Sequence, residues 1–293
     1  MSIHLSAPPE FSEAKLKVLP GPPRMLPWQE RREWFRTRFE QTPPPGLSVE
    51  EVQAHFTTMP PYYWEQVDES DFIWGLESVH GFLKLMASPH ASATAAYVSW
   101  RQNTEPDFTR LMLCTWDRHG LLAKAAAAFS AVRMNIVHAH IFTRTDNMVL
   151  DQFCVTASGG CGPVSDSRLR EMTFLLDGAL SEPPRFASVW ACSRHKFLAV
   201  PSSVPPQIGY DNLTSPDSTL VHIEAADRLG LLYDILQAIA DNGFNIKQAH
   251  IETRQQLACD TIHITDQDGQ KILHDNALKS LCAKLHDVLT IRD

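Results

Sequence analysis

Asp227-Arg228-Leu229-Gly230-Leu231-Leu232 stands 110 residues after Asp117-Arg118-His119-Gly120-Leu121-Leu122. The same offset carries Asn135-Ile136 onto Asn245-Ile246, and Ala139-His140-Ile141 onto Ala249-His250-Ile251. It also carries Thr143-Arg144 onto Thr253-Arg254, and a single deletion then sets Asp151 on Asp260. Composition does not produce identities in register over so long a gapless stretch. The chain holds one supersecondary unit twice.

Each unit reads locally. In the second, Thr219 to Ala225 alternates as a strand. Asp227 to Gly230 turns the chain into a helix with Leu231, Leu232, Ile235, Leu236 and Ile239 on one face, and Asn242-Gly243 ends it. Strands come next at 245–254 and 257–265, joined by Gln255-Gln256, a tight hairpin without the favoured Asn-Gly pair. Asp275 to Leu289 is an amphipathic helix with Leu278, Leu281 and Leu285 inward. The first unit gives strand 109–115, helix 120–133, strands 135–144 and 148–156, and helix 166–180. Tyr97 to Trp100 and Gln207 to Tyr210 share the offset and are predicted as short strands that complete each sheet, with 196–200 a further candidate. The fold class is α+β: two ferredoxin-like modules of βαββαβ type with four-stranded antiparallel sheets.

Outward from the repeat, the N-terminal third is different. Eleven of the 20 prolines fall between Pro8 and Pro61 and break that region into short pieces. A helix is expected over 28–39 with Trp34, Phe35 and Phe39 on one side. Ser48 and Glu51 form a capping box at the start of another. Phe72, Leu76, Val79, Leu83 and Met86 mark the apolar face of a third helix over 69–86. The expected organisation is a helical, Pro-rich arm at 1–92, one module at 93–203 and a second at 204–293. So many aromatics would not stay in water, so the arm is expected to pack on the chain after it.

The formal net charge of −8 and the lack of a basic stripe exclude a nucleic-acid partner. No apolar run approaches the roughly 20 residues of a membrane span. No secretory signal opens the chain, and none of the six cysteines pairs as C-x-x-C, so reduced thiols in the cytoplasm are expected. Cys161 alone, in a Gly-Gly-Cys-Gly-Pro turn, reads as an exposed loop thiol.

Asp-Arg-x-Gly-Leu-Leu opening a helix, then Asn-Ile and a hairpin, resembles the ACT domain, a family of regulatory modules that usually bind amino acids. In tandem the two units resemble the C-terminal tail of the bacterial PII uridylyltransferase/uridylyl-removing family. Tyr210-Asp211-Asn212 with Ser215, Leu150-Asp151-Gln152-Phe153 and Met59-Pro60-Pro61-Tyr62-Tyr63-Trp64 carry that likeness. It covers about 95–293 well and 47–90 weakly. It implies a bacterial regulatory protein linked to nitrogen metabolism. Residues 1–90 match neither that family's nucleotidyltransferase domain nor its histidine-aspartate hydrolase domain. His286-Asp287 lacks the partners a metal site needs. A non-catalytic regulator is therefore expected, with no catalytic residues and no cofactor. The family often has proline before the motif glycine, where this chain has His119 and Leu229.

The resemblance implies a ligand role for Asp117, Gly120 and Asn135 and for Asp227, Gly230 and Asn245; Arg118, Leu121, Arg228 and Leu231, beside them in the motif, complete the candidate site. The chemistry agrees. A helix start offers N–H groups and a positive dipole end to a carboxylate, aspartate accepts from an ammonium, and asparagine serves either end. Blander roles stand beside this one. The aspartates can cap the turn, the arginines can be solvated, and the asparagines can sit in left-handed positions. His138, His140 and His119 offer three imidazoles, but His138 and His119 face Gln248 and Leu229 in the repeat, so no metal is expected. Exposed sheet edges imply self-association, either as a pair within the chain or as a homodimer. A ligand-free interaction scaffold is the alternative.

Overall fold

The structure is a computed structural model and describes residues 26–102, 108–157, 162–180 and 205–290. Cys161 and the candidate strand at 196–200 lie outside the described residues. The elements are α1 (Trp28–Phe39), α2 (Val49–Thr58), α3 (Pro61–Gln66), α4 (Glu69–Met86), β1 (Tyr97–Arg101), β2 (Thr109–Trp116), α5 (Leu121–Ala131), β3 (Met134–His140), β4 (Met148–Ala157) and α6 (Asp166–Leu180). After these come β5 (Gln207–Asp211), β6 (Thr219–Ala226), α7 (Leu231–Asp241), β7 (Asn245–Arg254), β8 (Leu257–Thr265) and α8 (Asp275–Thr290). No helix among the described residues is long and apolar enough to cross a membrane.

The eight strands of the described residues join one sheet in the order β1-β2-β4-β3-β7-β8-β6-β5. At its centre β3 and β7 run antiparallel, with His140 opposite His250 and His138 opposite Glu252. The pairing of β3 with β4 slips between Ile136 and His138, and that of β7 with β8 slips between Ile246 and Gln248. The two slips are 110 residues apart, so the repeat extends to backbone irregularities. β3 ends at His140, short of the expected Arg144. Ile141 and Phe142 are both buried, which breaks the alternation of a strand. Only an isolated bridge, Thr143 to Val149, continues the pairing.

The chain packs as two compact units. The first runs to Ser99 and also takes Met112–Trp116 and Phe142–Leu150. Its core is aromatic: Phe35, Trp64, Phe72 and Phe82 are fully buried. Phe56 stacks on Trp64 at 5.2 Å, and Phe142 stacks on Tyr62 at 5.6 Å. That packing explains why the chain leaves β3 early. The helices start where the sequence caps them, with a complete Ser48–Glu51 capping box on α2 and Asp68 accepting from Asp71 N–H on α4. Arg31 is buried and donates to the Trp64 carbonyl at 2.5 Å and the Val67 carbonyl at 2.6 Å, at the carbonyl-rich end of α3. Leu83, inward by the sequence spacing, is exposed, and Phe82 faces the core instead.

The second unit holds Trp100–Leu111, Asp117–Ile141 and everything from Asp151 on. There α5 packs against α6 and α7, and α7 packs against α8. Ala125, Ala126, Ala127 and Ala128 of α5 are all buried, so the alanine run serves close helix packing. Leu231, Ile235, Leu236 and Ile239 face inward from α7, and Leu278, Leu281 and Leu285 from α8.

Candidate ligand site

The two motif loops open their helices in the same way. Gly120 (φ 71°) and Gly230 (φ 81°) are left-handed N-caps of α5 and α7, and neither helix has a side-chain cap. This conformation is strained for any residue with a Cβ, which accounts for the repeated glycine. Neither Asp117 nor Asp227 caps its helix, but each accepts from the backbone N–H of the arginine that follows it in the turn. Nor are the asparagines left-handed. Arg133 (φ 57°) and Gly243 (φ 77°) take those positions after the helices, leaving Asn135 and Asn245 to start strands.

The asparagines are exchanged between loops. Asn135, on β3, donates from Nδ2 to Asp227 Oδ2 at 3.0 Å. Asn245, on β7, has its Oδ1 3.0 Å from His119 Nδ1. Each loop is thus completed by the asparagine of the other repeat. The sequence marks both sets of residues. The pairing of β3 with β7 makes the exchange.

The two places differ because His119 and Leu229 differ. The His119 ring spans from Asn245 to the Ala240 carbonyl, 3.1 Å from its Nε2. Asp117 there is exposed. At the second loop there is a cleft. Asn135, Asp227, Arg228, Thr253 and Asp260 give it polar groups, and Leu231 and Ile251 are among its apolar lining. Its free space admits about one water molecule. Leu121 and Leu231 have buried side chains, so they serve the core and offer a ligand only backbone. Arg228 lines the cleft, but its guanidinium is held by Asp234 at 2.6 Å and by the Val288 carbonyl at 3.3 Å. Arg118 is half-buried.

Electrostatically, the Arg228 charge acts on Asp227, but its guanidinium is paired with Asp234. Asp227 also accepts from Thr253 Oγ1 at 3.2 Å. Burial pushes its carboxyl above the usual range, against the hydrogen bonds from Asn135 and Thr253. Asp260 is only 3% exposed. Burial raises it to about 7; the Glu252 N–H opposes this and the charge of Asp227 adds to it. Asp260 is not among the site residues expected from sequence. The signal is nonetheless present in the repeat, where Asp151 and Asp260 match and both lie buried in mid-strand among apolar residues.

Of the three histidines considered as metal ligands from sequence, His119 is apart from His138 and His140, and the third imidazole beside those two is His250.

Residues 207–291 match a family model described as ACR9-like, ACT-like domain. Over 180 residues the chain is 32% identical to the bifunctional uridylyltransferase/uridylyl-removing enzyme of Azospirillum brasilense, covering 60% of this chain and 19% of that protein. The protein of the same name from Bradyrhizobium diazoefficiens is 25% identical over 249 residues, 84% of this chain and 26% of its own length. That of Cereibacter sphaeroides is 24% identical over 261 residues, 89% of this chain and 26% of its own. The similarity is to the C-terminal region of these enzymes. The chain spans about a fifth to a quarter of the length of the curated relatives it matches. No solved structure matches the chain.

Proposed function

We propose that this chain, with an ACT-like domain at 207–291 and homology to the C-terminal region of uridylyltransferase/uridylyl-removing enzymes, is a non-catalytic regulator that binds a free amino acid. In this reading the sheet is two four-stranded ACT modules, β1–β4 and β5–β8, paired within one chain at β3 and β7. The binding site is the cleft at Gly230. One observation carries the proposal: two carboxylates, the buried Asp260 and the half-buried Asp227, line a cleft that also holds the start of α7. An α-ammonium adds a cation beside these carboxylates, where the Arg228 guanidinium is paired with Asp234, and the positive end of the α7 dipole suits an α-carboxylate. Entry separates Asn135 from Asp227, because the cleft at rest admits little more than water. A cationic ligand favours ionised Asp260, so affinity rises as pH passes upward through about 7.

A thermal-shift screen of the twenty amino acids at pH 7.5 tests this. A ligand at 100 times its dissociation constant stabilises by about 2.7 kcal/mol. Asp227→Asn is expected to remove the shift while Asp117→Asn keeps it, both with unchanged circular dichroism. If no amino acid at millimolar concentration shifts the melt, the ligand reading fails, and self-association in the same sample would favour a scaffold. If Asp227→Asn responds like the parent, the site is misplaced.

A further inference from the structure

We propose that His138, His140 and His250 form a site for one divalent transition-metal ion per chain, with zinc as the probe. It lies at the centre of the sheet, apart from the ligand cleft. His140 and His250 are directly opposite across β3 and β7, and His138 is two residues from His140, so the three side chains share a sheet face. Their ligating nitrogens all lie within 4.8 Å of one another. His138 Nε2 and His140 Nε2 are 2.9 Å apart. The ring centroids are separated by 4.4, 5.2 and 5.6 Å. Zinc–nitrogen bonds of roughly 2.0–2.1 Å in tetrahedral geometry put ligand nitrogens about 3.3 Å apart. Ring rotation alone closes that difference, on strands rather than on loops.

The charge state fits a metal site. Burial and the neighbouring imidazoles depress His140 to about 3, and burial with His250 lowers His138, so both rings are neutral ligands at physiological pH. The three imidazoles bring their ligating nitrogens together, and a shared cation suits that arrangement. Arg110 faces His138 and His140 and opposes a cation. Glu252 compensates: it is opposite His138, 3.6 Å from His250 Nε2, and paired with Arg254 at 2.6 Å. Glu252 or water supplies the fourth position. All three histidines are half-buried, which leaves an entry path. Imidazole ligation suits zinc, copper and nickel, and hard cations poorly. His138 has Gln248 as its repeat counterpart, so the fold yields one such triad and not two.

The test uses the full chain without an affinity tag, stripped with a chelator and titrated with zinc against a chromogenic competitor. One equivalent is expected, with micromolar or tighter affinity. Cobalt in place of zinc is expected to give the visible d–d bands of four-coordinate geometry. His138→Gln and His250→Gln should each weaken binding at least tenfold with the fold unchanged by circular dichroism. His222→Gln, at an exposed histidine, should bind as the parent does. A stoichiometry other than one, no saturation at micromolar zinc, or equal affinity in the His138 and His250 variants would overturn the site.

Discussion

Asp260 shows how one buried atom group sets a pH response. Its carboxyl is raised to about 7, and its ordinary value in an unfolded chain is about 3.9. Between those values the folded protein holds a proton that the unfolded chain has released. Stability from this group is therefore present at low pH and lost as pH rises through about 7. About three pKa units correspond to up to about 4 kcal/mol. Asp260→Asn is expected to be more stable than the parent at pH 8 by as much as that, with the gap more than halved at pH 5. Denaturant melts at the two pH values check this, and an equal gap at both would sink it. A second residue, His119, sets the two loops apart: it contacts Asn245 and the Ala240 carbonyl, where the second repeat has Leu229. The repeat makes the candidate residues legible as a set, but the exchange of Asn135 and Asn245 depends on contacts between positions 92 and 126 residues apart, which no local pattern reports.

The β7–β8 hairpin is the clearest case of an element whose sequence and geometry disagree. Gln255 (φ 50°) and Gln256 (φ 66°) are both left-handed, as a type I′ turn demands, yet neither is a residue that favours it. Left-handed backbone costs an ordinary residue roughly 1–2 kcal/mol. Gln255→Asn with Gln256→Gly should relieve part of that and raise stability by about 1 kcal/mol. The carbonyl that Gln256 gives to the Asp227 N–H is backbone and survives the change. A lower melting temperature for the double variant would show that the glutamine side chains contribute more than the turn strain costs. Other elements are legible because their determinants are local. The bounds of α4 and the capping box of α2 stem from spacing over a few residues. The end of β3 is not legible, because Phe142 and Arg144 suit a strand and are taken from it by Tyr62, Tyr63 and His55, distant in sequence.

At the scale of the whole molecule, the first unit has its own core, and a buried histidine lies in it. The density of aromatics before residue 90 indicates such a core. That strand ends from Met112–Trp116 and Phe142–Leu150 belong to it is not visible in the sequence. His55 is fully buried, its Nε2 3.1 Å from Tyr63 Oη and its Nδ1 3.3 Å from Arg144 Nη1. Burial first, and then the Arg144 guanidinium, hold it well below the usual histidine range. An unfolded chain takes up a proton at His55 below about pH 6.5, and the folded unit refuses it. This stability is present above about 6.5 and is lost as pH falls, by up to about 1.4 kcal/mol per pH unit. Asp146 and Glu51 in the same unit are lowered, so they add loss of the same sign at more acidic pH. Asp260, in the second unit, works in the opposite direction over part of that window. Hydrogen exchange read by mass spectrometry, corrected for intrinsic rates, should therefore show protection of α2–α4 falling from pH 7.5 to 5.5. His55→Gln keeps a carbonyl for Arg144 and an amide for Tyr63 but cannot titrate. Its α2–α4 protection is expected to be lower at pH 7.5 and nearly flat between the two values. A slope equal to the parent's would place the acid sensitivity of this unit elsewhere than His55.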